Sequence, residues 1–176
     1  MTRVNRSWMA VVAAALLLGT LVGVVWARPN DRPQTAGEPR KVTLTGTDFS
    51  PTQEAMDWYN YGGYVRCDGL ECTFTAPIVF PCLQAVTVER IKLHVDDNNA
   101  SSTASAGVWR ENPSTGAEAF WASVGSPLGT SGGVKTYTSG DVNKVVWPSQ
   151  RAYIWLQIND VDIKVHGVTV EYHVNS

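Results

Sequence analysis

The sequence predicts an all-β fold, namely an antiparallel β-sandwich of jelly-roll type that follows a single N-terminal transmembrane helix. Three observations predict it: apolar residues alternate with period two from Lys41 onward, turn-forming residues separate the apolar runs, and an uncharged apolar segment lies near the N-terminus. The 176 residues are enough for about one domain. Charged residues make up only 17%, but the 44% of hydrophobic residues can build a core, which excludes a disordered chain.

The N-terminal segment from Trp8 to Trp26 contains no charged residue. As a helix it would span about 28 Å, close to the ~30 Å hydrocarbon core of a bilayer. Arg3 and Arg6 precede it, and positive residues remain on the cytoplasmic side. We therefore expect a single-pass membrane protein with its N-terminus in the cytoplasm and its C-terminal domain in the periplasm or outside the cell.

Two interpretations of this segment remain open. An uncleaved signal anchor would place Trp8 and Trp26 at the two membrane interfaces, with Leu17 and Leu18 in the apolar interior. A cleaved signal peptide would have a shorter apolar region and a small-residue cleavage site, for which residues 25–27 are an imperfect match. The length of the segment and the tryptophan at each end favour the anchor.

Composition divides the chain into three parts: an anchor at 1–27, a proline-rich linker at 28–41 and an extracytoplasmic β-sandwich domain at 42–176. Residues 1–40 hold five arginines and two acidic residues, whereas residues 41–176 hold nine basic and fourteen acidic residues. This acidic body and the formal net charge of −2 give no reason to expect nucleic acid as a partner.

Period-two alternation predicts ten strands in the body of the chain. In the strand near residue 155, for example, Ile154 and Leu156 share one face and Tyr153 and Trp155 share the other. The predicted strands are 42–48, 63–67, 71–80, 85–96, 104–111, 118–125, 134–138, 144–147, 152–159 and 162–174.

The last predicted strand changes its alternation midway. Ile163 and Val165 share one parity, whereas Val168 and Val170 share the other. A regular strand cannot bury both sets on one face, so the sequence predicts a β-bulge at His166-Gly167. A similar change predicts a second bulge near Glu89-Arg90.

Several segments together resemble a family of bacterial extracytoplasmic β-sandwich domains. They read GGYVRC, CTFTAPIVFP, AVTVERIKLHVDDN, VWRENPSTG, AFWASVGS and GVTVEYHV. The resemblance covers nearly all of residues 58–174. It implies a jelly-roll-like sandwich outside the cytoplasm and, because no activity is established for that family, it implies no catalytic residue.

The chain has three cysteines, Cys67, Cys72 and Cys82. The first two flank a short turn, and outside the cytoplasm such a pair predicts a disulfide. The alternative is a C-x4-C metal half-site, which needs further thiol or imidazole ligands. For Cys82, which follows Pro81, the sequence predicts no partner, and burial as a small apolar residue is the simplest expectation.

The sequence shows no catalytic motif, so we expect a protein that is not an enzyme. His94, His166 and His173 lack metal-ligand spacing, and no serine lies in a nucleophile elbow. Two acidic loops are candidates for calcium, because calcium prefers several oxygen ligands, although the same residue types also form ordinary turns. The calcium candidates are Asp96, Asp97, Asp160 and Asp162, and no other cofactor is expected.

Aromatic residues are the remaining signal, because on the outer face of a sandwich they can contact a partner protein or a sugar. The candidates are Trp58, Tyr59, Tyr61, Trp109, Tyr153 and Trp155. The predicted anchor and linker favour a non-enzymatic accessory subunit that docks on a larger membrane assembly, of which a photosynthetic or respiratory complex is one example. The alternative is a membrane-anchored or secreted module that binds carbohydrate or another ligand.

Overall fold

The structure is a computed structural model that describes residues 38–53, 56–69, 71–81, 83–128 and 132–175. Within these ranges no helix has the length and apolar character that a bilayer span requires. The predicted anchor residues, Trp8, Leu17, Leu18 and Trp26, and also Cys82, lie outside the described residues.

The described part of the chain forms two antiparallel sheets, as the alternation predicts. The seven-stranded sheet contains β1 (Arg40–Thr45), β3 (Trp58–Asn60), β4 (Val65–Cys67), β6 (Val86–Asp97), β9 (Val134–Thr138), β10 (Lys144–Val146) and β12 (Ile163–Val174). The five-stranded sheet contains β2 (Ser50–Pro51), β5 (Cys72–Ile78), β7 (Ala104–Asn112), β8 (Ala117–Gly125) and β11 (Arg151–Ile158).

The two longest strands, β6 and β12, pair at the centre of the seven-stranded sheet. Along the far side of β12 lie β1 and β4, with β3 next to β4. Along the far side of β6 lie β9 and β10. The other sheet has the order β2-β5-β11-β7-β8, so β11 and β7 lie near its middle, and no strand among the described residues covers their outer faces.

One hydrophobic core joins the inner faces of the two sheets. Phe74, Ile154 and Leu156 from the five-stranded sheet and Ile91 and Leu93 from the other have no exposed surface. Along each strand the buried residues occupy alternate positions, so the period-two pattern of the sequence predicts which side chains face the core. The predicted β-sandwich is therefore confirmed for the described residues.

Both predicted bulges are present. Val165 pairs with Val95 and Gly167 pairs with His94, which leaves His166 as the extra residue on β12. Likewise Glu171 pairs with Arg90 and Tyr172 pairs with Val88, so that Glu89 is the extra residue on β6. Each bulge restores the inward direction of the apolar residues that follow it.

The main differences from the predicted strands lie near the N-terminal end of the sandwich. β1 begins two residues before its predicted start and ends at Thr45, because Gly46–Asp48 forms a 3₁₀ turn. The backbone N–H of Thr45 donates a hydrogen bond of 2.7 Å to the Asp48 carboxylate, which stabilises this turn. The short strands β2 and β3 were not predicted, because two or three residues are too few to show alternation.

The predicted disulfide between Cys67 and Cys72 is present, with a Cα–Cα distance of 5.5 Å. Cys67 ends β4 in one sheet, and Cys72 begins β5 in the other. The bond therefore fixes the point at which the chain passes from the seven-stranded to the five-stranded sheet.

Candidate functional site

Four aromatic side chains gather on the outer face of the five-stranded sheet. Trp109 projects from β7, Phe120 from β8, and Tyr153 and Trp155 from β11. Successive side chains of a strand point to opposite faces of the sheet, and these four residues occupy the positions that alternate with the core-facing ones. All four therefore point away from the core. We refer to Trp109, Phe120, Tyr153 and Trp155 as the aromatic face.

Register places three of these residues in one row across the strands. Tyr153 lies opposite Trp109, and Trp109 lies opposite Phe120. The ring centroids of Trp109 and Tyr153 are 6.4 Å apart with an interplanar angle of 4°, and those of Trp109 and Phe120 are 5.3 Å apart. On the other side of Tyr153 the row continues to Pro77 of β5.

A bulge in β8 brings Phe120 to this face. Val108 pairs with Ala122 but Trp109 pairs with Phe120, so Trp121 is an extra residue. Without that extra residue Phe120 would have the inward parity of Val124; with it, Phe120 is 47% exposed. The sequence analysis missed Phe120 because the bulge breaks the alternation.

Gly107 lies on β7 next to this row of aromatic residues, under the ring of Phe120. A Cβ atom built on Gly107 would lie 2.4 Å from Cε2 of Phe120, so the phenyl ring occupies the space that any other residue would need. Gly107 also lies opposite Trp155, which is bordered by Thr75 on its other side. Trp155 itself is half-buried on this face.

Charged and polar groups border the aromatic face. Arg151, Glu111 and Glu118 lie opposite one another in the next row, and Nη1 of Arg151 is 4.0 Å from a carboxylate oxygen of Glu111. Burial raises the pKa of the Tyr153 hydroxyl above its ordinary value, and the carboxylates of Glu118, which accepts its hydrogen bond, and of Glu111 raise it further. The Tyr153 hydroxyl thus remains a hydrogen-bond donor at neutral pH.

An apolar groove of about 370 Å³ continues from the aromatic face at the end of the sandwich. Tyr153 of the aromatic face lines it, together with three residues that border the face, Pro77, Glu111 and Arg151. The side chain of Trp147, 56% exposed, forms part of the groove wall. The sequence analysis did not single out Trp147 as a site residue, because it stands alone in a turn after β10.

Of the predicted candidates, Tyr59 lies on β3 of the other sheet and Tyr61 in the turn that follows it, where they form a tyrosine patch with Tyr64. The rings of Tyr61 and Tyr64 are stacked with centroids 4.8 Å apart. The guanidinium carbon of Arg66 lies 5.7 Å from the ring of Tyr59 and 5.9 Å from that of Tyr61, and Lys164 Nζ is 5.7 Å from the ring of Tyr64. These ring faces already have partners within the chain.

Trp58 is placed differently from the other candidates. Its ring meets that of Phe74 edge-on with centroids 5.5 Å apart, and it packs against the hydrophobic core. This position favours a packing role for Trp58. The six aromatic candidates thus divide into three on the aromatic face, two in the tyrosine patch and one against the core.

Three of the four aspartates predicted as calcium ligands, Asp96, Asp97 and Asp160, accept hydrogen bonds within the chain. Asp97 is buried and accepts a 2.6 Å hydrogen bond from the Ser126 hydroxyl, and Asp96 accepts one of 2.8 Å from the backbone N–H of Gly133. A hydrogen bond from the backbone N–H of Asp162 lowers the pKa of Asp160, and hydrogen bonds from side chains lower it further. Within the described ranges no group of three or more His, Cys, Asp or Glu is arranged to hold a metal ion. Calcium binding stays a prediction.

No protein-family model matches the chain, and a comparison with curated proteins gives no match.

Similar solved structures include the xylan-binding module CBM15, with 14% identity, a TM-score of 0.48, and coverage of 79% of this chain and 100% of that module. A carbohydrate-binding module of the β-sandwich superfamily shows 11% identity and a TM-score of 0.37 over 82% of this chain and 58% of that one. The infectious bursal disease virus protein VP2 shows 14% identity and a TM-score of 0.38 over 81% of this chain and 34% of that one. All three TM-scores lie below 0.5, so the function of this chain must be argued from its own residues.

Proposed function

We propose that this chain is a β-sandwich module that binds carbohydrate on the aromatic face without a catalytic step. The observation that carries the proposal is the row of Trp109, Tyr153 and Phe120, in which two parallel rings on neighbouring strands adjoin a third, exposed ring. One face of a pyranose ring carries C–H groups and is apolar, so it packs against an aromatic ring. An ordered row of such rings suits successive sugar units.

The border of the aromatic face supplies the polar contacts that sugar hydroxyls need. Glu111 and Glu118 are acceptors, Arg151 is a donor, and Gln157 projects from the same side of β11 as Tyr153. A binding site with an apolar floor and few polar groups at its edge is the usual arrangement for a small organic ligand. Because the sheet fixes the backbone, the rings are ordered before the ligand arrives, which lowers the entropic cost of binding.

The aromatic face suits this role better than the tyrosine patch. The cations of Arg66 and Lys164 lie against the rings of the patch, and a sugar would have to displace them. Within the described ranges no arginine or lysine makes a cation–π contact with Phe120 or Trp155. The accessory-subunit hypothesis depends on Trp8, Trp26 and the residues between them, which lie outside the described residues, and it stays a prediction.

Binding to a panel of polysaccharides tests the proposal. The full chain would be run in native gels that contain soluble xylan, mixed-linkage β-glucan, glucomannan or, as an acidic control, polygalacturonate, and each hit would be measured by calorimetry. We expect binding to at least one neutral polysaccharide, and loss of affinity by about tenfold or more on Trp109→Ala or Trp155→Ala.

A matched control is Tyr61→Ala, which removes an aromatic side chain of 53% exposure from the other sheet. It should leave the affinity unchanged. If Tyr61→Ala weakens binding and Trp109→Ala does not, the site is the tyrosine patch and the proposal is wrong. Failure of every polysaccharide in the panel also overturns it.

A further inference from the structure

The groove at the end of the sandwich has the make-up of a ligand subsite. Its floor is apolar, with Pro77, Phe80, Val146 and Ala152, whereas Gln84, Gln150 and Arg151 supply polar groups to its lining. About 370 Å³ is at the small end of ligand pockets, which measure roughly 300–1,000 Å³. Such a volume suits a short section of a chain molecule.

The walls of the groove are held by contacts within the chain. The backbone N–H of Gln150 donates a hydrogen bond of 2.9 Å to the Trp147 carbonyl, and the backbone N–H of Trp147 donates one of 3.2 Å to Oε1 of Gln150. The ring of Phe80 meets that of the buried Tyr172 edge-on, with centroids 4.9 Å apart. These contacts fix the backbone at Trp147 and the ring of Phe80, while the indole of Trp147 stays exposed.

The groove adjoins the aromatic face. The row runs from Phe120 over Trp109 and Tyr153 to Pro77, and its last two members also line the groove. The path crosses the strands, so each step advances by one strand spacing, about 4.8 Å. That step is close to the length of one sugar unit in an extended polysaccharide. A chain stacked along the row is thereby directed into the groove.

Resting on the proposed function, we infer that the groove takes the next sugars of the same glycan, and that the ligand is an extended, neutral polysaccharide that crosses the strands. The charges along the path favour a neutral ligand. Glu111 and Glu118 both border it, whereas Arg151 is the cation opposite Glu111. A polysaccharide that carries carboxylates would be repelled by this excess of negative charge. Trp147 then packs against the sugar in the groove as Trp109 does on the face.

The length dependence of binding tests this inference. Calorimetry would compare the trisaccharide and the hexasaccharide of whichever of the xylan, glucan or mannan series binds the full chain. The hexasaccharide covers both the face and the groove, so it should bind more tightly. In Trp147→Ala the ratio of hexasaccharide affinity to trisaccharide affinity should fall by about tenfold, because the added sugars lose their aromatic contact. Leu83→Ala, which removes a side chain of 95% exposure that does not line the groove, should change nothing.

The outcomes separate this inference from the proposed function. If Trp109→Ala abolishes binding while Trp147→Ala retains the full gain with length, the groove is not a subsite and the binding face stands. If Trp147→Ala weakens the trisaccharide and the hexasaccharide equally, the groove does not extend the face and the path is wrong. If no oligosaccharide binds, both proposals fail. Circular dichroism of each variant verifies that the sandwich is folded.

Discussion

Trp109 and Tyr153 lie directly opposite each other on neighbouring antiparallel strands, and the planes of their rings differ by only 4°. Directly opposed residues are the closest pairs across a sheet, and cross-strand pairs of this kind stabilise it by roughly 0.2–1 kcal/mol. The same pair forms the middle of the aromatic face. Removing either ring should therefore cost some stability as well as affinity, so variants must be compared at temperatures well below their unfolding midpoints.

We expect Gly107→Ala to weaken carbohydrate binding although Gly107 offers no side chain to a ligand. The new methyl group would lie 2.4 Å from Cε2 of Phe120 and 3.1 Å from the Ala122 carbonyl oxygen. The phenyl ring must turn away, and the row would lose its third member. The measurement is the affinity for the best polysaccharide of the panel.

A double-mutant cycle provides the control for this prediction. In a Phe120→Ala background there is no ring to displace, so Gly107→Ala should have no further effect on affinity beyond about 0.5 kcal/mol. Independent, additive losses would show that Gly107 acts by some other route than the ring of Phe120.

Stability should depend on pH through His94. Burial lowers the pKa of His94 below its ordinary value, and the charges of Lys92 and His166 lower it further. Its ring nitrogens each lie 2.9 Å from a threonine hydroxyl oxygen, that of Thr136 and that of Thr169. The unfolded chain therefore takes up a proton first as the pH falls below about 6.5, and stability that is complete above this pH is lost as the pH falls through the folded pKa.

The check on His94 is urea unfolding between about pH 7.5 and pH 5. His94→Gln keeps a donor and an acceptor for the two hydroxyls but does not titrate, so its stability should fall less over this interval than that of the unaltered chain. The carboxylates affect the stability of the unaltered chain and of His94→Gln equally, so the difference between their two pH dependences is due to His94. Parallel curves would contradict the prediction.

The sequence predicts the face on which a side chain lies best where that face depends only on alternation along its own strand. The bulges at His166 and Glu89 could be predicted because valines and isoleucines on both sides of each report the face they occupy. Phe120 could not, because Ala119, Ala122 and Ser123 around it report no face. Phe120 and Trp121 are adjacent aromatic residues, and with only small residues around them the parity does not show which of the two rings points inward.

The grouping of the site could not be predicted for a different reason. Tyr153 and Trp155 share a strand, so their common face was evident from parity. That Trp109 lies opposite Tyr153, or that Trp147 borders the same groove, depends on strand order and register. Both are set by contacts between segments far apart in sequence, which a single sequence does not show.

The disulfide should contribute about 2 kcal/mol to the stability of the sandwich, since it closes a short loop. Reduction, or the double variant Cys67→Ala/Cys72→Ala, should lower the free energy of unfolding in urea by that amount. Any effect of reductant on the double variant would come from Cys82, the remaining cysteine of the sequence. An unchanged midpoint on reduction would show that the packing around these two residues alone fixes the chain as it passes between sheets.

Gly167→Ala should destabilise the fold by roughly 1–3 kcal/mol, the usual range for forcing extra atoms into a packed interior. A Cβ atom at Gly167 would lie 2.5 Å from the Leu44 carbonyl oxygen, which belongs to the backbone of β1 and cannot turn aside as a side chain can. The bulge at His166 therefore needs glycine after it because β1 passes so close, a reason that only the paired strands reveal. Gly140→Ala is the matched control, because a Cβ atom there would meet nothing within 4 Å and should leave stability unchanged or slightly higher. Thermal and urea unfolding of the two variants would decide the matter, and equal midpoints would mean that β1 can move away from β12 without cost.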